Sequence, residues 1–269
     1  MSDDPVRQAA ELLAEARNVV GFTGAGVSAE SGIPTFRDPG GIWDRFDPGE
    51  LGTSSGIIEF AMKHPDRIRD FLCESVEIFR KARPNPGHMG LVELERMGIL
   101  RSVITQNIDD LHSIAGNTRV YEVHGNLYRF RCLNCGNTQK YNREEILDTF
   151  TEILTDEPFK VEKLMEGLPR CELCGGLMRP DVVMFGEAVQ QMPESFREAR
   201  SADVVIVLGT SGVVWPAAGV PYEARQVGAR VIDVNPTPGA FRDITDVYIN
   251  SYSGVAMPRI LEELRRIRG

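Results

Sequence analysis

The residues Asn18-Val19-Val20-Gly21-Phe22-Thr23 form a short apolar run that passes directly into Gly24-Ala25-Gly26-Val27-Ser28-Ala29. An apolar run of that length suits a strand buried on both faces of a parallel sheet. The turn matches G-x-G-x-x-A between a strand and a helix, the setting in which this short motif carries weight. Its glycines permit a tight turn and close approach to a pyrophosphate, and the helix N-terminus behind them supplies N–H donors. A turn needed only for packing would use the same glycines. In either case the unit commits the chain to an α/β architecture. Dinucleotide dehydrogenases carry an acidic residue about 20 positions further on, at the end of a second strand. Here that stretch, Thr35-Phe36-Arg37-Asp38-Pro39-Gly40-Gly41-Ile42-Trp43, does not read as a strand. The turn therefore supports nucleotide binding without supporting hydride transfer.

The same alternation runs along the chain. Residues 4–16 read as a helix capped by Asp4, with Pro5 in its first turn. Residues 34–53 are rich in Gly, Pro and Asp and read as a long functional loop. A helix is expected over 57–82, stopped by Pro84-Asn85-Pro86-Gly87. Helices over 88–97 and 108–115 alternate with strands over Leu100–Thr105 and Arg119–Val123. A cysteine-bearing segment follows at 128–180, helical near 143–165. Strands are then expected at Ala202–Leu208 and Ala229–Val234, and helices at Pro216–Val227 and 256–268. Such alternation implies a doubly wound parallel sheet, with the cysteine segment inserted into it.

Composition narrows the function. The 269 residues are 42% hydrophobic and 26% charged, enough for a sizeable core. No apolar run reaches the roughly 18 residues of a membrane span. Met1-Ser2-Asp3-Asp4-Pro5 carries no secretory signal, so a cytoplasmic location is expected. The formal charge of −9 opposes nucleic acid as a main partner and favours basic peptides. Of five cysteines, Cys132/Cys135 and Cys171/Cys174 form two Cys-x-x-Cys pairs and Cys73 stands alone. Without an oxidising compartment the pairs read as four thiolates on one structural Zn²⁺, a redox dithiol being the minor alternative. Arg131, Arg170 and Arg179 lie near enough in sequence to offset the charge of such a site.

Several candidates for chemistry sit where expected strands end, which is where open α/β sheets bind ligands. Gln106 and Asn107 offer amides to ribose or a carboxamide, and Asp109 offers an acceptor. The alternative is a plain helix cap, with Asn107 as N-cap and Asp109 and Asp110 in the first turn. His124 is the histidine best placed for general-base work, although a structural histidine is the commoner case. His112 suits a structural or supporting role, and His64 and His88 lie in no motif. Gly209-Thr210-Ser211 and Asn235 follow two further strands and are placed to hold phosphate or ribose, or simply to turn the chain.

Taken in order, these motifs resemble the sirtuins, NAD-dependent protein lysine deacylases, of prokaryotic type. The resemblance spans roughly residues 10–260. It rests on Gly24 to Arg37 (GAGVSAESGIPTFR), Thr105-Gln106-Asn107-Ile108-Asp109, His124-Gly125, the two cysteine pairs, Phe185-Gly186-Glu187, Gly209-Thr210-Ser211 and Asn235. It implies a Rossmann-type NAD lobe over 1–33, 86–127 and 181–269. A smaller lobe would combine a cofactor loop and helical module at 34–85 with a zinc module at 128–180. By that resemblance Gly24, Ala25, Gly26, Glu30, Thr35, Phe36 and Arg37 belong to the NAD site, with Gln106, Gly209, Thr210, Ser211, Asn235 and Ser253. Asn107, Ile108 and Asp109 line the nicotinamide pocket, with Asn107 and His124 catalytic. Val183, Phe185, Gly186, Glu187, Val213 and Val214 face an acyl-lysine peptide bound by strand addition. The implied reaction joins the acyl oxygen to the ribose as an alkylimidate and yields nicotinamide, O-acyl-ADP-ribose and free lysine.

The framework around Asp109-Asp110-Leu111-His112 is similar to the class that removes acidic acyl groups, but that class carries a Tyr-x-x-Arg pair where this chain has Leu72 and Ser75. Acetyl and longer apolar chains are therefore expected over succinyl. The competing readings are a mono-ADP-ribosyltransferase or NAD hydrolase, which would keep the same NAD residues, and a non-catalytic NAD-dependent binding module. Neither the physiological substrate nor the oligomeric state is legible in the string.

Overall fold

The computed structural model describes residues 4–35, 41, 44 and 46–269. The expected apolar runs form strands. β1 (Val19–Thr23), β2 (Leu100–Thr105) and β3 (Val120–Glu122) lie in the first half of the chain. The cysteine segment then contributes β4 (Gly125–Cys132), β5 (Thr138–Lys140) and β6 (Met178–Val182). The second half adds β7 (Val204–Leu208), β8 (Arg230–Asn235) and β9 (Val247–Asn250). The main sheet has six strands in the order β3-β2-β1-β7-β8-β9, and each neighbouring pair is parallel. The order reverses between β1 and β7, and a crevice opens at such a switch point.

Side chains leave this sheet alternately to two faces. Val19, Val103, Ile206 and Ile232 pack beneath the helices Pro5–Glu15, Pro86–Arg96 and Ser253–Arg268. Val20, Phe22, Ile104, Val205 and Val231 pack beneath Met192–Arg200 and Gly219–Gln226. Each large apolar side chain fully buried in this way contributes roughly 1.5–3 kcal/mol. The strands end level with one another. Thr23 is in register with both Thr105 and Leu208, Thr105 with Glu122, and Leu208 with Val234. The loops that follow these residues consequently meet along one edge.

The structure corrects several expectations. The helix over 57–82 is two helices, Ser54–Lys63 and Pro65–Lys81. Pro65 cannot donate within a helix interior and instead opens the second one. The stretch 143–165 divides likewise into Arg143–Thr155 and Val161–Glu166, with Pro158 between them. The helix Met192–Arg200 and the strand β9 lie in stretches that gave no clear signal, and the short helix Pro48–Leu51, capped by Asp47, interrupts the stretch 34–53 read as a loop. Arg143–Thr155 packs on Pro65–Lys81, where Arg80 pairs with Asp148 at 2.8 Å and Arg69 donates to the Leu154 carbonyl at 2.8 Å.

β4, β5 and β6 form a small antiparallel sheet, order β5-β4-β6. At its far end the Sγ atoms of Cys132, Cys135, Cys171 and Cys174 all lie within 4.8 Å of one another. Cys132 Sγ is 3.5 Å from Cys174 Sγ, and Cys135 Sγ is 3.7 Å from Cys171 Sγ. A tetrahedron with Zn–S bonds of about 2.3 Å has edges of roughly 3.8 Å, so the four thiols fit Zn²⁺ with no position left for water. Backbone N–H groups of the Cys132–Cys135 knuckle lower the Cys132 thiol, which favours its thiolate. The expected arginine screen is only partly available. Arg131 is paired with Asp181 at 2.6 Å and Arg179 with Glu187 at 2.7 Å.

Cys171→Ser is expected to lower bound zinc from one ion per chain to well below it, read by elemental mass spectrometry. Limited proteolysis should then cut within 128–180 while the main sheet survives. Full zinc occupancy in that variant would contradict the four-thiolate site.

Candidate active site

The two glycine turns at the switch point press against each other. Gly26 N–H donates to the Gly209 carbonyl at 2.8 Å, and Gly24 N–H to Leu208 at 3.1 Å. A Cβ on Gly26 would sit 2.8 Å from Gly209 Cα, and one on Gly24 would sit 2.6 Å from Thr210 Cβ. Gly209 itself has φ +60°, and a Cβ there would meet Val27 N at 2.2 Å. Packing is thus the first duty of these glycines. By meeting, they bring Ala25, Thr210 and Ser211 to the same rim.

The next loop, after β2, is tied to that rim. Gln106 donates its amide to Thr210 Oγ1 at 2.8 Å and its N–H to the Thr23 carbonyl at 2.9 Å. Asn107 is not the N-cap of a helix. The helix here is Leu111–Ala115, and its N-cap position is held by Asp110. Asn107 points inward and donates to Ser28 Oγ at 3.0 Å. Ser28 Oγ donates in turn to Asp109 Oδ2 at 2.7 Å, and Leu111 N–H donates to Asp109 Oδ1 at 2.9 Å. Burial pushes the Asp109 carboxyl up, and these two donors oppose it.

Behind Ser28 stands His88, with Nε2 at 3.4 Å from Ser28 Oγ. His88 Nδ1 accepts from Asn85 N–H at 3.3 Å, closing a capping box at the start of Pro86–Arg96. That bond assigns Nε2 as the donor to Ser28. Burial drives His88 down to about 4 and His112 well below its usual value, so both are neutral. Their rings lie 4.8 Å apart, and His112 Nε2 meets Thr23 Oγ1 at 2.9 Å. Ser28 and His88 were not singled out as site residues in the sequence. The available signal was Asn85-Pro86 followed by a polar residue at the third helical position.

His124 follows β3. Its Nδ1 lies 3.1 Å from the Gln106 carbonyl, which acts only as an acceptor, so the proton is on Nδ1 and Nε2 carries the lone pair. Burial lowers its pKa and the Gln106 bond partly restores it. The His124 carbonyl accepts from Val183 N–H at 2.9 Å, and Phe185 N–H donates to Gly52 at 2.7 Å. Glu187 receives Arg179 Nη2 on both oxygens, at 2.7 and 2.8 Å, and Ser54 Oγ at 2.9 Å. The segment Val183-Met184-Phe185-Gly186-Glu187 therefore bridges from His124 to the helical part. Phe185 and Val213 are exposed, and Val214 is partly buried.

Of the remaining candidates, Asn235 is buried at the end of β8 and donates to Asp233 at 2.5 Å. Ser253 is buried, and its Oγ has no partner among the described residues. Glu30 accepts Gly254 N–H at 2.6 Å, at the start of the final helix. Thr35 lines a cavity of about 420 Å³ together with Ile33, Phe46, Phe71, Glu74 and Ser75. Phe36 and Arg37 lie outside the described residues.

Comparison with known proteins agrees with this geometry. Residues 24–216 match the model of the Sir2 family. The chain is 49% identical over 267 residues to the NAD-dependent protein deacylase of Desulfosudis oleivorans, covering 99% of this chain and 98% of that one. A Sir2 homolog–NAD complex superposes with a TM-score of 0.79 at 37% identity, covering 100% of this chain and 96% of the other. Sir2Af2 bound to a myristoylated histone peptide superposes with a TM-score of 0.73 at 38% identity, covering 99% of both chains. With rim, inner loop and histidine brought together at the switch point of a six-stranded parallel sheet, the chain belongs to the Sir2 family.

Proposed function

We propose that this protein removes acyl groups from lysine side chains of proteins, consuming NAD and one water and leaving nicotinamide, O-acyl-ADP-ribose and free lysine. The observation that supports this most is the pairing of a neutral, tautomer-assigned His124 with the buried Asn107–Ser28–Asp109 set on one sheet edge. The same edge fits NAD. It sits at the switch point, its rim is backbone and hydroxyl, and the buried Ser253 hydroxyl lacks a protein partner among the described residues. NAD supplies an electrophilic ribose carbon once nicotinamide departs.

Each residue has a task in this reading. Ala25, Thr210 and Ser211 hold phosphate and ribose at the rim, and Gln106 and Asn235 secure that rim from either side. Ile108 gives the nicotinamide ring an apolar wall. Asn107 and Asp109 supply the polar contacts, and their mutual hydrogen bonds through Ser28 fix their aim before anything binds. His124 Nε2 would take the proton from a ribose hydroxyl as that oxygen bonds to the acyl carbon, while the Gln106 carbonyl would steady the imidazolium. Val183, Phe185 and Val214 offer the edges between which an extended acyl-lysine peptide adds as a strand. Cys132, Cys135, Cys171 and Cys174 hold the structural zinc. The division of labour follows the chain: 1–33, 86–127 and 181–269 serve NAD, 34–85 the cofactor loop and helical module, and 128–180 the zinc module. No described helix is long and apolar enough to cross a membrane. Four reduced thiols suit a cytoplasmic location.

The acyl preference follows from the helical side. The cavity carries Glu74 and Ser75 on one wall and no lysine or arginine among its described lining residues. The Ser75 hydroxyl is engaged by the Phe71 carbonyl at 2.7 Å. A buried succinyl carboxylate would find no cation among those described lining residues, a loss of about 2–5 kcal/mol.

His124→Ala should retain NAD binding and lose roughly 100-fold or more in kcat, measured on an acetyl-lysine peptide. Because burial lowers the His124 pKa, its base form persists at neutral pH, and kcat should fall only as pH drops below 6.5. An acid limb above that value, or turnover in the variant equal to the parent, would exclude His124 as the base. On one peptide scaffold, kcat/KM for acetyl-lysine should exceed that for succinyl-lysine by roughly 30-fold or more. Nicotinamide release without deacylated peptide would instead favour a hydrolase or transferase.

A further inference from the structure

Among the described residues only two that are not glycine have positive φ, and one of them is Asp110, at φ 65° and ψ 7°. A left-handed residue with a Cβ persists only where its surroundings hold it. Asp110 directly follows Ile108 and Asp109 and starts the helix Leu111–Ala115. Its side chain makes no capping bond to that helix. It turns the other way, to the small sheet. Lys140 Nζ, at the end of β5, lies 3.0 Å from Asp110 Oδ2 and 3.1 Å from Oδ1. Asn126 Nδ2, on β4, donates to Oδ1 at 2.9 Å. One residue further along β4, Leu127 N–H donates to the Ile108 carbonyl at 3.0 Å. The Asp110 side chain is 9% exposed, so these bonds are poorly replaced by water.

The second sheet is arranged to make that grip. Lys140 is placed by its pairing with Arg129 across β4 and β5. Arg129 joins Glu122 at 2.7 Å and Asp181 at 2.7 Å. Asn126 Oδ1 accepts Tyr128 N–H at 2.8 Å, which sets its amide between Asp110 and Glu122, to both of which it donates. Three carboxylates, Asp109, Asp110 and Glu122, thus crowd one end of β3. Lys140 and Arg129 are the cations that directly pair with two of them.

We propose that Lys140 and Asn126 are positioning residues for the nicotinamide pocket: by gripping Asp110 in its left-handed turn, they hold Ile108 and Asp109 aimed into the site. This rests on the deacylase reading for its kinetic consequence, but the mechanical claim can be read without turnover. The Asp110 carbonyl accepts Ile114 N–H at 2.9 Å, but its side chain caps nothing in the helix it begins and is gripped instead from another sheet.

The test compares Lys140→Met, Lys140→Arg, Asp110→Gly and the double variant Asp110→Gly/Lys140→Met with the parent protein. Hydrogen exchange of the 106–112 segment should quicken by about 10-fold in Lys140→Met, with zinc content unchanged. Lys140→Arg should restore most of the protection. In the acetyl-peptide assay, Lys140→Met should lower kcat by roughly 10-fold and weaken inhibition by added nicotinamide, with the peptide KM within about twofold. Asp110→Gly can adopt the turn but cannot be gripped, so the double variant should be no worse than the worse single one. Unchanged exchange at 106–112 in Lys140→Met, or additive losses in the double variant, would overturn the proposal. A parent protein that never consumes NAD would sink the deacylase reading, and exchange alone would then decide the grip.

Discussion

The hydrogen bond from Gly26 N–H to the Gly209 carbonyl joins the two halves of the sheet at the place where strand order reverses. It can form only because neither residue carries a Cβ. Everything at the site is measured from that contact. It brings Thr210 within 2.8 Å of the Gln106 amide, and the Gln106 carbonyl then sets the His124 ring. Three loops from β1, β2 and β7 are thereby locked together, and among the described residues it is a backbone carbonyl, not a carboxylate, that aims His124.

The inner pocket shows how a buried acid is kept usable. Asp109 is desolvated, which by itself favours the neutral form. Ser28 and Leu111 donate to it, and Ser28 is supplied with donors by Asn107 and His88. Ser28 Oγ therefore gives one hydrogen bond and receives two, which is the full capacity of a hydroxyl. The buried imidazoles of His88 and His112 are held neutral by their burial. They add a packed polar wall without adding charge beside Asp109. A cation there would compensate the carboxylate and weaken its hold on its hydrogen-bond donors.

How much of this is legible in the residues depends on distance along the chain. The parallel strands and the zinc thiols could be read because apolar runs and Cys-x-x-Cys pairs are local signals. The clustering of Gly24, Gln106, His124 and Gly209 follows from one further rule, that ligands sit at the carboxyl ends of parallel strands. What escaped is non-local or weakly apolar. His88 has no motif, because its role comes from Ser28, 60 residues earlier in the chain. Met192–Arg200 buries only Met192, Ser195, Glu198 and Ala199, so its face does not read as hydrophobic. Asn107 resembles a helix cap in one dimension. Only the left-handed turn at Asp110 moves the helix start three residues on and frees the Asn107 amide for Ser28.

The same turn is where the small sheet, besides carrying the four cysteines, meets the β2 loop. β5 is three residues long, partly exposed and ends at Lys140, so alone it would be a marginal strand. It is held between the Cys135 knuckle at one end and the Asp110 ion pair at the other. Exposed ion pairs contribute little because water competes for both partners, but here only the lysine is exposed, at 57%, against 9% for the aspartate. Breaking the pair leaves a mostly buried carboxylate beside Asp109, and the turn must open to solvate it. The four-cysteine cluster and the Asp110 turn thus lie at opposite ends of one short strand, so order at the first bears on the second.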